Sequence, residues 1–154
     1  MFTRRATLLG LLALPACGGA DEPQAQLDTP LYPNETPELR ALILKYANFY
    51  EVPVTLVQRV VIRESTHRPA ARNGPYYGLM QILPQTARTM GFRGKPNDLL
   101  DAETNLKYAV KYLRGAWMVS DGDEATAVGW YARGYYYEAK RRGLLVETGL
   151  RPAS

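Results

Sequence analysis

From Glu38 onward, apolar residues recur every three or four positions, which predicts a series of amphipathic helices. Thr36-Pro37-Glu38 opens the first, with a hydroxyl to cap free amides, proline at the first helical position and an acid at the positive end of the dipole. Leu39, Leu42, Ile43, Tyr46 and Phe49/Tyr50 form its apolar face, and Val52-Pro53 ends it near Glu51. A second helix is expected from Val54 to Ser65, with Leu56, Val57, Val60 and Val61 on one side. Asn73-Gly74-Pro75 is a turn, so a small β-hairpin fits between residues 66 and 80, and a short helix follows from Pro84 to Met90 with Gly91 as its stop. Asp101-Ala102-Glu103-Thr104 starts a longer helix whose core face is Leu106, Ala109, Val110, Leu113 and Trp117. After the turn at Asp121-Gly122-Asp123, helical character resumes from Ala125 to Tyr131, and Tyr135-Tyr136-Tyr137 leads into Lys140-Arg141-Arg142, closed by Gly143. The fold class is therefore mainly α, as a single domain over residues 36–147 with a tail at 148–154.

Residues 1–35 break this pattern. Met1 to Arg5 is short and basic, Leu8 to Leu14 is apolar apart from Gly10, and small residues follow. That order is a signal peptide over residues 1–16, too short for a permanent span, which needs about 20 apolar residues. Leu14-Pro15-Ala16-Cys17 resembles the lipobox of bacterial lipoproteins, so Cys17 is expected as the first mature residue and the site of lipidation; a chance cysteine beside an ordinary cleavage site is the competing reading. Thr3-Arg4-Arg5-Ala6-Thr7-Leu8-Leu9 is similar to a twin-arginine export signal and equally to the basic start of a Sec signal. Residues 17–35, rich in Pro, Gly, Gln and Asp and without a period, are expected to form a flexible tether.

The chain has 154 residues, 46% of them hydrophobic and 22% charged, which is the composition of one ordinary globule. Its net charge of +4 is too small for the dense basic stripe that duplex binding needs, so no nucleic-acid partner is expected. One histidine, His67, and one cysteine leave no set of zinc ligands, and no metal or cofactor is expected. The local charge pattern is less ordinary. From Ser65 to Asn97 there is no Asp or Glu, yet Arg68, Arg72, Arg88, Arg93 and Lys95 all occur, so a groove lined by this segment would suit an anionic polymer.

Glu64 is the candidate acid. It lies four residues past Val60 and seven past Val57, on the buried side of the second helix and in its last turn. Desolvation and the negative end of the helix dipole both disfavour its charged form, as a general acid requires. A glutamate that turns out to solvent, or that pairs with Arg63 or Arg68, fits the same pattern. The acid-free stretch after it offers no second carboxylate of the kind a retaining glycosidase holds about 5 Å away.

Arg63-Glu64-Ser65, Gly78-Leu79-Met80-Gln81-Ile82, Leu100-Asp101-Ala102-Glu103-Thr104-Asn105 and Trp130-Tyr131-Ala132-Arg133-Gly134 together resemble, in order and spacing, the soluble lytic transglycosylase family, which has a lysozyme-like fold. The likeness runs roughly from Glu38 to Gly143. It implies a lyase that cuts the MurNAc-β-1,4-GlcNAc bond of peptidoglycan and leaves a 1,6-anhydro-MurNAc end. Glu64 aligns with the single catalytic glutamate, and the sugar's own acetamido and C6 hydroxyl groups replace the missing second carboxylate. Ser65, Gly78, Met80, Gln81, Tyr131 and Arg133 are the substrate-binding candidates. By resemblance Ser65 holds the glutamate or sugar, Met80 packs on a sugar face, Gln81 bonds to the saccharide and the Tyr131 hydroxyl orients Glu64. Core packing is the alternative for Met80, and a hydroxyl bonded elsewhere is the alternative for Tyr131. The chain departs from the family at Ala132 and Arg133, where Asn and Ala are usual, and Arg133 can reach the substrate's anions instead.

A muramidase that hydrolyses the same bond and a non-catalytic peptidoglycan-binding module are the competing functions. Expected partners are glycan strands and, through Cys17, a membrane; an envelope or secretion complex is a further candidate. The expected location is the periplasm, lipid-anchored, and Gly18 in place of Asp after Cys17 favours the outer membrane.

Overall fold

The structure, a computed structural model, describes residues 29–153. The signal peptide, Cys17 and most of the segment read as a tether lie outside the described residues. The fold is mainly helical with one small hairpin. Helix α1 spans Pro37–Phe49, α2 Val54–Ser65, α3 Pro84–Thr89, α4 Ala102–Met118, α5 Glu124–Arg133 and α6 Tyr136–Arg141. Strand β1 (Arg72–Asn73) pairs antiparallel with β2 (Tyr76–Tyr77), with Arg72 opposite Tyr77. A 3-10 turn at Pro96–Leu100, too short to leave a period in the sequence, precedes α4.

The caps form where the residues predict them. Thr36 Oγ1 accepts the Leu39 amide at 3.1 Å, and an Asp101 carboxylate oxygen accepts the Thr104 amide at 2.8 Å. Helix α4 is the central element, packed against α1, α3, α5 and the 3-10 turn through Leu106, Ala109, Val110 and Leu113, all fully buried. On α2, Leu56, Val57, Val60 and Val61 are equally buried, each worth about 2 kcal/mol in transfer free energy. That face locks the rotation of α2 about its axis, and the rotation decides where Glu64 points.

Three expectations are corrected. Phe49, assigned to the apolar face of α1, is 72% exposed and packs edge-on against Tyr50 instead. The segment from Thr29 to Glu35 is folded onto the domain. Glu35 is buried and ion-paired to Arg40, the Tyr32 ring stacks on His67 at 5.4 Å, and Asn34 Nδ2 donates to the Thr66 carbonyl at 3.0 Å. Composition alone could not reveal this, because the segment is held by side-chain bonds and leaves no hydrophobic period. Nor does the folded part end at 147: Thr148 is buried, its hydroxyl donates to the Leu144 carbonyl at 2.7 Å, and Leu150 packs against the core.

Candidate active site

Glu64 ends the apolar stripe of α2 with its side chain 22% exposed. Burial raises the proton affinity of its carboxyl, and Arg63, whose Nε lies 3.6 Å from Oε1, offsets only part of that. Arg68 takes no part: its Nε donates to the Ser65 carbonyl at 2.9 Å. The chain then reverses through Thr66 and His67, both in the left-handed region at φ 51° and 58°. For a β-branched threonine this is costly backbone, held here by Asn34 and by the burial of His67.

His67 belongs to a buried polar chain behind the site. Glu35 accepts from Arg40 Nε at 2.6 Å, from the Tyr32 amide at 2.9 Å and from Gln58 Nε2 at 2.8 Å. Because a carboxylate only accepts, Gln58 presents its amide nitrogen to Glu35 and its Oε1 to His67 Nε2, 2.7 Å away, which assigns the imidazole proton to Nε2. Burial pulls the Glu35 carboxyl up, but the bonds from Arg40, Tyr32 and Gln58 outweigh it and hold it below the usual range. Burial lowers the His67 value, so the ring is neutral near neutral pH.

The opposite wall is the loop after β2. Asn105, fully buried on α4, donates from Nδ2 to the carbonyls of Tyr77 and Leu99, both at 2.8 Å, and accepts the Met80 amide on Oδ1 at 3.0 Å. The Tyr131 hydroxyl of α5 donates to the Met80 carbonyl at 2.8 Å. Gln81, at φ 49°, turns its amide nitrogen back to the Ala71 and Gly78 carbonyls at 3.1 and 2.9 Å. Its Oε1 has no bonded partner among the described residues, and the side chain borders the groove.

Between these walls runs a groove in three connected stretches. The first, about 720 Å³, is bordered by Asn34, Glu64, Arg68, Arg72, Asn73 and Gln81 among others. The second, about 320 Å³, shares Glu64, Asn73 and Gln81 with it and adds Arg63, Tyr76, Tyr131 and Ala132. The third, about 260 Å³, continues past Tyr131 and Ala132 to Arg133, Tyr112 and Gly134. Glu64 is the only carboxylate among the residues lining all three.

A family model described as "Transglycosylase SLT domain" matches residues 41–143. The chain belongs to the SLT transglycosylase family. That family places it among domains of the lytic-transglycosylase type, which cleave peptidoglycan, and the helical fold with its small hairpin is consistent with the family's lysozyme-like architecture. No solved structure gives a significant match to the chain.

The SLT domain brings Glu64, Gln81, Tyr131 and Arg133 to one groove. It does not bring the other candidates there as expected. Ser65 is 2% exposed, and its hydroxyl bonds back to the Val61 carbonyl at 3.3 Å, so it touches neither Glu64 nor the groove. Met80 is fully buried and has no face to offer a sugar, so core packing is its role. Gly78 serves the loop: at φ 74° a Cβ would collide with the Leu99 carbonyl and the Asn105 amide. The Tyr131 hydroxyl is bonded to Met80 and not to Glu64, although the two side chains are close enough for Glu64 to raise the phenol's pKa further beyond the effect of burial.

Asn34 and Tyr76 were not singled out from the sequence, and Asn73 and Asn105 figured there only as part of a turn and of a motif, with no site role. Asn105 had a readable signal: it shares the core face of α4 with Ala109, one turn on, and a polar side chain on a buried face must have partners. Asn34 had none, since only the folded strap brings it to Glu64.

Proposed function

We propose that this SLT domain is a peptidoglycan lytic transglycosylase that cleaves the MurNAc-β-1,4-GlcNAc bond, with Glu64 as both acid and base. The observation that carries this reading is a single carboxylate, shielded and with raised proton affinity, in a groove whose other charged lining residues are arginines. A two-carboxylate hydrolase needs a second acid across the cut bond, to act as nucleophile or to activate water. Here that function falls to the substrate.

In the proposed cycle, protonated Glu64 gives its proton to the glycosidic oxygen as the C1–O bond of MurNAc breaks, and GlcNAc leaves with a free 4-hydroxyl. The acetamido oxygen of MurNAc steadies the cation at C1. Glu64, now a carboxylate, takes the proton from the C6 hydroxyl as that oxygen bonds to C1, which closes the 1,6-anhydro ring and restores the acid. No water is consumed and no cofactor is required. Gln81 Oε1 is available to a sugar hydroxyl or amide, and Tyr131 fixes the wall beside the reacting centre.

Mass spectrometry of digested sacculi tests this. Anhydro-muropeptides are expected; reducing muropeptides would instead identify a muramidase, and intact sacculi a binding module. We further propose that Cys17 is lipidated and holds the domain at the periplasmic face of a membrane, on the strength of the lipobox-like Leu14-Pro15-Ala16-Cys17. Labelled palmitate incorporation that Cys17→Ser abolishes is the expected result.

A further inference from the structure

Two guanidinium groups rest on aromatic rings at opposite ends of the groove. Arg72 Cζ lies 4.2 Å from the centroid of Tyr77, and Arg133 Cζ lies 4.0 Å from that of Trp130. The cation–ring pairs of Arg40, Lys45 and Lys107 are looser, at 5.7, 5.2 and 5.5 Å, so the two tightest of these contacts both belong to the groove. Neither the Arg72 nor the Arg133 side chain makes an ion pair or hydrogen bond among the described residues, and both are exposed. A ring beneath a guanidinium limits its motion while its N–H edge stays free, an arrangement suited to a bidentate carboxylate.

Their order along the groove matters. Arg72 shares the first stretch with Glu64, Glu64 shares the second with Tyr131 and Ala132, and those two share the third with Arg133. The proton donor therefore sits between two preorganised cations. A peptidoglycan strand carries its carboxyl groups on every second sugar, either directly on the lactyl group or through a stem peptide, so a strand spanning the cut bond presents one carboxylated sugar on each side.

We propose that Arg72 and Arg133 are paired carboxylate anchors for the alternate sugars flanking the cut bond, so that the groove selects a carboxylated strand over a plain N-acetylglucosamine polymer. This rests on the peptidoglycan reading above. The test is the binding of the full chain carrying Glu64→Gln, which does not consume the polymer, to intact sacculi, to amidase-stripped sacculi and to chitin. Carboxylated strands are expected to bind about tenfold more tightly than chitin, as charge-assisted hydrogen bonds at a solvent-exposed rim allow, with the margin shrinking as salt rises. Adding Arg72→Ala and Arg133→Ala is expected to abolish the margin without changing the thermal midpoint. An arginine-dependent margin confined to intact sacculi assigns the carboxylates to stem peptides; one shared with stripped sacculi assigns them to lactyl groups. Equal binding to all three polymers, or a margin that survives both substitutions, overturns the proposal. The wild-type product is read separately, so the anchors can fail while anhydro ends still form.

Discussion

The Tyr131 hydroxyl donates to the Met80 carbonyl at 2.8 Å, and this one bond ties α5 to the loop that carries Gln81. With its only proton committed there, the phenol oxygen can turn nothing but lone pairs toward Glu64, which favours the protonated carboxyl over the charged one. Tyr131→Phe removes the bond and leaves a buried carbonyl without a donor. A stability loss of about 1–3 kcal/mol in urea denaturation is expected, together with a fall in kcat. Unchanged stability would contradict the bond's role.

Glu64→Gln keeps the shape of the site and removes the transferable proton. Turnover of sacculi is expected to fall by about 2 or more orders of magnitude while sedimentation with sacculi persists. The same change should raise the thermal midpoint modestly at neutral pH, since a group whose charged form burial disfavours, and which Arg63 at 3.6 Å only partly compensates, is replaced by a neutral amide. A melting curve that moves down instead would mean the charge is comfortable where it is.

The rate should also depend on pH with a definite sign. An acid whose proton affinity is raised by burial is active while protonated, so kcat/KM is expected to fall as pH rises through a value above the usual glutamate range. A limb at the ordinary carboxylate value would contradict the shielding.

The helices and their order were legible because apolar periodicity, Thr36, Pro37 and Asp101 all act locally, and Glu64 was legible because its position on the α2 stripe is set by spacing alone. What escaped was long-range. The strap from Thr29 to Glu35 is held by bonds to Arg40, Gln58 and Thr66, residues up to 32 positions away, and nothing in its composition distinguishes it from a loose linker. Ser65 and Met80 illustrate a second limit: neighbours of a site residue in sequence need not face the site, because successive positions of a helix point in different directions, and the loop after β2 turns Met80 into the core while Gln81 borders the groove.

Asn105 fixes the Gly78–Gln81 loop through three bonds to backbone groups. Asn105→Ala leaves the Met80 amide and the Leu99 carbonyl without partners, while the Tyr77 carbonyl keeps the Ile82 amide at 3.1 Å, and a loss of about 2 kcal/mol or more is expected by denaturant titration. Gly78→Ala should cause a similar loosening, since its methyl group would meet the Asn105 amide.

The strap should make the fold sensitive to acid. His67 is held neutral in the folded state, facing Glu35 at 3.9 Å and, beyond it, Arg40. The unfolded chain therefore takes up a proton first, and stability should decline as pH falls below about 6.5, the ordinary histidine value. Glu35 adds to this at lower pH: its value is depressed, so its contribution is present above the ordinary glutamate range and is lost as pH falls through the folded value. Thermal midpoints measured across this range should show the first decline in the wild type and not in His67→Gln. A wild-type midpoint that holds steady below pH 6.5 would contradict the neutral assignment.

In the proposed cycle the sugar's own C6 hydroxyl, and not water, closes the reaction after Glu64 has protonated the leaving oxygen. Digestion of purified sacculi in isotopically labelled water, with mass analysis of the released muropeptides, tests this directly. Anhydro-muropeptides that carry no label are the expected product; reducing ends bearing labelled oxygen would contradict ring closure by the C6 hydroxyl.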